Sequence, residues 1–188
     1  MTTHDVVKIG GSSLANSSRC QRALNIIRAS KKRRVLVVSA PGSRYDGDIK
    51  VTDHLFDLDA FLSGTVSHSD ALGHVIDRFK EIEHGLGLPG DTNDYEALPT
   101  YRSDRLVSQG EKYLAKIFAR VLDWEYVDSS EVVKFDSSGR VNLDMCQGKR
   151  LIEAIERGVV MDGFSGALPD GTIKLLSRSG SDISGAIA

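Results

Sequence analysis

The feature that most constrains this chain lies in its first forty or so residues, where two short apolar runs flank a stretch of helical spacing. Val6-Val7-Lys8-Ile9 is largely β-branched and stops at Gly10-Gly11, so it reads as a strand ending in a tight turn. Ser12 and Ser13 are good helix N-caps, and Leu24, Ile26 and Ile27 fit a helix that ends near Lys31-Lys32-Arg33-Arg34. Val35-Leu36-Val37-Val38 is continuously apolar, as in a strand covered on both faces, and it ends in the loop Ser39-Ala40-Pro41-Gly42. Strand, helix and strand over so short a span form a βαβ unit, which makes the class α/β.

Beyond that unit the spacing predicts helices over His54–Leu62, Ala71–Leu86 and Arg105–Leu122, with a turn at Leu88-Pro89-Gly90-Asp91. Short strands are expected at Glu125–Val127 and Val132–Phe135, then a helix over Gln147–Arg157. Val159-Val160-Met161 and Phe164–Ala167 read as strands joined through Asp162-Gly163, and Pro169-Asp170-Gly171 turns into a strand over Thr172–Leu176. Ser181-Asp182 starts a helix that the end of the chain at Ala188 leaves with no polar finish. That is expected of a helix cut short, or of a small terminal helix docked on the core.

Charge and cysteine content narrow the function classes. Lys and Arg total 24 against 26 Asp and Glu, a net charge of −2, which argues against a nucleic-acid-binding surface. The Lys31–Arg34 run reads instead as a solvated helix end that complements the macrodipole. No apolar run approaches the ~20 residues a membrane span needs. The N-terminus has no basic n-region or cleavage site, so a cytoplasmic protein is expected. Cys20 and Cys146 stand far apart and match no metal spacing. The five histidines form no ligand pattern, and no G-x-S-x-G elbow occurs, so metal-dependent and serine hydrolysis have no support.

What remains is a set of glycine-rich strand ends. Lys8 precedes Gly10-Gly11 and a helix start, which together suit an anion site, although a solvent-pointing lysine before a tight turn fits equally well. The second loop, Ser39 to Gly42, is of the same type. In an open parallel sheet such loops face one crevice beyond the strand ends. Thr52 lies at a helix start, as N-cap or as ligand group. Ser108-Gln109-Gly110-Glu111 has capping-box spacing, yet Gly110 is a poor first-turn residue unless something approaches the backbone. Glu111 is then a candidate acceptor for a substrate ammonium. Ser177-Arg178-Ser179-Gly180-Ser181-Asp182 brings a guanidinium, hydroxyls and a carboxylate to a strand–helix junction. There Asp182 could hold Lys8 charged and aimed; a plain surface loop with a helix cap is the other reading.

Taken in order, Val7-Lys8-Ile9-Gly10-Gly11-Ser12-Ser13, Val37-Val38-Ser39-Ala40-Pro41-Gly42, Lys50-Val51-Thr52-Asp53, Ser108-Gln109-Gly110-Glu111, and Gly163-Phe164 leading to Ser177–Asp182 resemble the aspartokinases of the amino acid kinase superfamily. The long loop from Pro41 to Thr52 looks most like the clostridial branch. The resemblance implies a three-layer αβα sandwich and ATP-dependent phosphorylation of the L-aspartate side-chain carboxylate to 4-phospho-L-aspartate, towards lysine, threonine and methionine. Carried over by position, Lys8 and Asp182 are the catalytic pair, and Gly10, Gly11, Ser12, Ser39 and Gly180 bind the phosphoryl group. Thr52, Glu111, Phe164 and Arg178 bind aspartate, Glu111 its ammonium and Arg178 a carboxylate. ATP carries Mg²⁺ mainly on its own phosphates, with no protein metal site.

The residue inventory agrees with that chemistry. A carboxylate with an ordinary pKa near 3.9 is already ionised at neutral pH, so no general base is required. The obstacle is an anion approaching an anion, opposed by roughly 4 kcal/mol per unit pair at ~4 Å and an effective dielectric of about 20. Two positions depart from the family pattern, Ser12 for Thr and Ser179 for Gly. By the same resemblance, the half that holds the nucleotide base and the ACT domains are expected to lie outside these 188 residues. Residues 1–188 are therefore expected to be the aspartate- and phosphoryl-binding portion of a catalytic domain, acting as a homo-oligomer or with a complementing C-terminal half. A non-catalytic amino-acid-binding or interaction module of the same fold is the alternative.

Overall fold

The computed structural model describes residues 3–89, 93–177 and 180–188. In chain order the elements are β1 (Asp5–Ile9), α1 (Ser17–Arg28), β2 (Arg33–Val38), α2 (Val51–Leu62), α3 (Ala71–Gly85), α4 (Asn93–Glu96), α5 (Ser103–Val107), α6 (Gln109–Leu122), β3 (Glu125–Val127), α7 (Ser129–Val132), α8 (Lys149–Ala154), β4 (Val159–Asp162), β5 (Ser165–Ala167), β6 (Ile173–Leu175) and α9 (Gly180–Ile187).

Four strands form an all-parallel sheet in the order β1-β2-β4-β3, and β5 and β6 form a separate antiparallel pair. The pleat explains the continuous apolar runs. Leu36, Val38 and Val160 face a large core built from α1, α2, α3 and α6, whereas Val37, Val159 and Met161 face a smaller one with Leu151 and Ala154 of α8. Helices thus cover both faces in a three-layer α/β arrangement, as expected. Within the larger core Phe79 stacks on Tyr95 and meets Tyr113 edge-on.

Several local expectations are corrected. Ser12 and Ser13 belong to a 3₁₀ turn, and α1 is capped by Asn16, whose side chain accepts from Arg19 N–H at 3.0 Å. The helix ends at Arg28, so Arg33 and Arg34 open β2 and are not a helix terminus. The Arg33 guanidinium nevertheless reaches back to the Ile26 carbonyl in the last turn of α1. The strand expected at Val132–Phe135 is the end of α7 followed by isolated bridges from Lys134 and Phe135. Asp128 explains this: its carboxylate caps α7 by accepting from Ser130 N–H at 2.9 Å.

Ser108 does not build a capping box. It has helical dihedrals and gives its hydroxyl to the Arg105 carbonyl at 3.0 Å, so α5 runs almost directly into α6. Thr52 is not an N-cap either, since Lys50 holds that position and Thr52 sits in the first turn of α2. Gly90, Asp91, Arg178 and Ser179 lie outside the described residues.

Candidate functional site

The register of the parallel sheet brings the glycine loops together. Ile9 pairs with Val38, and Val38 with Asp162, so Gly10, Ser39 and Gly163 emerge side by side at the carboxyl ends of β1, β2 and β4. The ladder carries one step further, with Ser39 N–H donating to Ile9 O at 3.2 Å and Gly163 N–H to Val38 O at 2.9 Å.

The first two loops touch backbone to backbone. Gly42 N–H donates to Gly11 O at 2.9 Å; a Cβ on Gly11 would stand 2.5 Å from the Ala40 carbonyl, and one on Gly42 would stand 2.7 Å from Gly11 C. Only residues without a side chain permit that approach.

Lys8 and Asp182, distant in sequence, form an ion pair of 2.7 Å between Nζ and Oδ1. The Lys8 ammonium hangs over Gly10, 3.7 Å from where its Cβ would be. Helix α9 makes this meeting by lying across the strand ends. A Cβ on Gly185 would crowd Lys8 Cβ at 3.1 Å, Ser181 Oγ meets Ser39 Oγ at 3.0 Å, and Ser184 Oγ accepts from Phe164 N–H at 3.1 Å. Gly180 owes its bareness to packing, because a Cβ there would meet Leu176 Cβ at 2.3 Å.

Phe164 has φ +71°, a left-handed conformation that a bulky residue adopts only under constraint from its surroundings. The Ser184 hydroxyl and the bond from Leu176 N–H to Phe164 O at 2.8 Å hold it there, between β4 and β5.

Glu111 enters from the start of α6. Gly110 beside it lets that helix close on the second loop and on α2, since a Cβ would meet Ala40 Cβ at 3.0 Å and Leu55 Cδ1 at 3.1 Å. The close approach anticipated at Gly110 is therefore made by the protein itself. Glu111 is 3% exposed, and among the described residues its Oε2 has no hydrogen-bond partner. Burial pushes its carboxyl up to about 8, only partly offset by the Ala40 N–H. The α2 N-terminus joins the group where Val51 N–H donates to Pro41 O at 3.1 Å, which sets Thr52 beside the second loop.

Lys8, Gly10, Gly11, Ser39, Thr52, Glu111, Phe164, Gly180 and Asp182 thus sit on elements that converge at one end of the sheet. Ser12 lies in the exposed turn that follows Gly11.

Two supporting features escaped the sequence reading. Arg78 of α3 is 3% exposed and donates to Ala15 O at 3.2 Å, Gly42 O at 2.8 Å and Asp48 Oδ2 at 2.7 Å, clamping both glycine loops from behind. Arg44 hydrogen bonds, with Arg78 adding its charge, hold the Asp48 carboxyl well below its ordinary value. The signal was a charged residue on the apolar stripe of Val75, Phe79 and Ile82. The second feature is Asp162, at the end of an apolar strand and fully buried. It accepts from Tyr126 OH at 2.9 Å, Ser129 N–H at 2.9 Å and Ser129 Oγ at 2.6 Å.

At its strand ends this parallel α/β sheet carries a lysine ammonium, paired with Asp182, above Gly10. Residues 6–188 match the amino acid kinase family, and the chain belongs to that family. It is 30% identical over 207 aligned residues to aspartokinase 3 of Bacillus subtilis, with 97% of this chain covered. The aspartate kinase of Clostridium acetobutylicum superposes with a TM-score of 0.89 at 31% identity over 96% of this chain. Escherichia coli aspartokinase III shares the fold at 22% identity with TM-score 0.77 in its complex with lysine and aspartate, and at 21% with TM-score 0.74 in its complex with aspartate and ADP. The chain spans 45% of the Bacillus relative and 43% of the clostridial one.

Proposed function

We propose that this chain provides the aspartate-binding and phosphoryl-holding portion of an aspartate kinase, which transfers the γ-phosphoryl group of ATP to the side-chain carboxylate of L-aspartate. The observation that carries the reading is the Lys8–Asp182 pair, 2.7 Å long, above Gly10 at the mouth of the two glycine loops.

In this reading Lys8, braced by Asp182, and the amides of Gly10 and Gly11 take up charge on the phosphoryl oxygens, with Ser12, Ser39 and Gly180 at the edge of the same cradle. Gly11 and Gly42 are bare because each loop packs on the other, a Cβ on either striking backbone of the facing loop, and this holds the two loops in place next to Lys8. Mg²⁺ would supply neutralising charge through the nucleotide's own phosphates. Among the described residues no cluster of three or more His, Cys, Asp or Glu could hold a metal ion.

Glu111 receives the substrate ammonium, Thr52 and Phe164 line the substrate, and Arg178 pairs with a carboxylate. The substrate carboxylate is already ionised, so positioning and electrostatics carry the reaction. Among the described residues no helix is long and apolar enough to cross a membrane, and we place the enzyme in the cytoplasm, working as a homo-oligomer or with a complementing C-terminal half.

The test is 4-phosphoaspartate formation from ATP and aspartate, trapped as the hydroxamate, with the chain alone and with the C-terminal half of an aspartate kinase added. Activity in either setting should fall by a factor of roughly 10²–10³ in Lys8→Met, the loss typical of removing one preorganised charge-stabilising group. Turnover unaffected by Lys8→Met would overturn the assignment. Aspartate binding without any transfer would leave a binding module instead.

A further inference from the structure

The chain passes from β4 to β5 through Gly163 and Phe164 alone, and Phe164 has the left-handed φ of +71°. A side chain of that size keeps such a conformation only where the residues around it are fixed. The bonds from Ser184 Oγ and Leu176 N–H act on the Phe164 backbone itself, and both come from the C-terminal segment.

A third hold comes from α7. Ser129, fully buried, is the first residue of that helix. Its N–H donates to Asp162 Oδ1 at 2.9 Å, its hydroxyl donates to Asp162 Oδ2 at 2.6 Å, and the same hydroxyl lies 2.8 Å from Ser165 Oγ. Asp162 is the last residue of β4 and Ser165 the first of β5. One buried hydroxyl therefore joins the two residues that flank the Gly163-Phe164 connection. The direct contact from Ser165 Oγ to Asp162 Oδ2, at 3.4 Å, is too long to join them well.

Helix α7 is a fixed support for that bridge. Asp128 caps it and pairs with Lys112 Nζ at 2.6 Å, and Ala167 N–H of β5 donates to Val133 O at 3.0 Å. Fixing the distance from residue 162 to residue 165 restrains the torsions of the two residues between them. The Phe164 ring depends on those torsions. A Cβ on Gly180 would stand 3.2 Å from Phe164 Cδ2, so the ring lies against the start of α9, the helix that carries Asp182 to Lys8. A φ relaxed to the negative side would swing the ring off that helix.

We propose that Ser129 is a positioning residue of the substrate site: by bridging Asp162 and Ser165, its hydroxyl keeps the Phe164 ring against α9. The consequence for substrate rests on the reading of Phe164 as an aspartate-lining residue; the bridge itself does not.

Ser129→Ala removes the hydroxyl and leaves the N–H. Amide hydrogen exchange at Phe164 and Leu176 should then accelerate at least roughly tenfold more than in α1, since the loss opens the connection locally. A merely structural role would speed all of these amides together. Aspartate affinity, by calorimetry, should fall about fivefold to tenfold, the range for a lost hydrogen-bonded bridge to a carboxylate. Glycine takes a positive φ without strain, so in a Phe164→Gly background the same Ser129→Ala change should alter aspartate affinity less than about twofold. If Ser129→Ala does not fold, Ser165→Ala removes the other end of the bridge and should give the same pattern of exchange. Exchange that rises equally in α1 and at Phe164 and Leu176, or an affinity loss as large in Phe164→Gly as in wild type, would overturn the proposal. Wild-type protein that binds no aspartate would overturn the kinase reading instead, and the exchange comparison would still decide the bridge.

Discussion

Asp162 and Glu111 are both buried carboxylates near the same strand ends, yet their surroundings differ. Around Asp162, Tyr126, Ser129 and Ser165 supply hydroxyls and a backbone N–H to both oxygens, with Lys112 and Asp128 paired at 2.6 Å close by. Burial and the Asp128 charge push its carboxyl up, but every lone pair that matters is used. Glu111 has an oxygen that accepts from nothing among the described residues. A saturated buried acid fastens elements together, here β4 to β3 and α7. An unsaturated one is stable only as far as the rest of the fold carries its cost, and it gains most from a donor brought from outside.

Four experiments would sharpen or break that contrast. The largest effect is expected from Asp162→Ala, which strands the Ser129 and Tyr126 donors in the interior and should cost about 3–5 kcal/mol in urea denaturation. A loss below about 1 kcal/mol would mean that the network is not what fastens β4 to α7.

Next is pH. The folded-state Glu111 carboxyl, at about 8, stands above its ordinary 4.5, so the native protein keeps a proton that the unfolded chain releases. Its contribution is full below about pH 4.5 and is lost as pH rises through 8. Stability should therefore fall by on the order of 3 kcal/mol between pH 5 and pH 8. Glu111→Gln should remove the part of that slope that Glu111 contributes and leave the part due to Asp162, whose carboxyl burial also pushes up; an unchanged slope would refute the assignment of the shift to Glu111.

Third, Glu111→Gln, which is neutral at every pH, should leave stability at pH 5 within about 1 kcal/mol while weakening aspartate binding at least tenfold by calorimetry. In the wild type, binding should tighten from pH 7 to 8 and release a proton, because a substrate ammonium stabilises the ionised form. Affinity that is flat over this range would remove Glu111 from the substrate site. The smallest effect is expected at the entrance to α6. Since Ser108 makes no cap bond, Ser108→Ala should cost under about 0.5 kcal/mol, less than the ~1 kcal/mol of a true N-cap; melting temperatures would distinguish the two.

Much of the architecture was legible because it rests on local chemistry. The β-branched run before Gly10, the continuous apolar run of β2 and the three- and four-residue spacing of α2, α3 and α6 place those elements within a few residues. The failures have a common cause. Ser12, Ser13, Thr52 and Ser108 are capping residues by type, but a cap depends on where the chain enters the helix, and tertiary packing sets that. Val132–Phe135 has strand composition, but Asp128 and the bonds to Asp162 turn its first residue into the end of a helix. Arg78 and Asp162 were passed over because charged residues within apolar patterns carry no label for what they will bind.

By itself the sequence determined the parallel α/β class, the glycine loops after β1 and β2, and the presence of a lysine and an aspartate at opposite ends of the chain, since these follow from residue type and short-range spacing. Only the tertiary structure decided that α9 lies across the strand ends and closes Lys8 onto Asp182, that Arg78 clamps the loops from behind, and that Glu111 keeps an empty acceptor while Asp162 does not. Pair distances and the satisfaction of buried polar groups depend on which surfaces come together, and long-range packing chooses those.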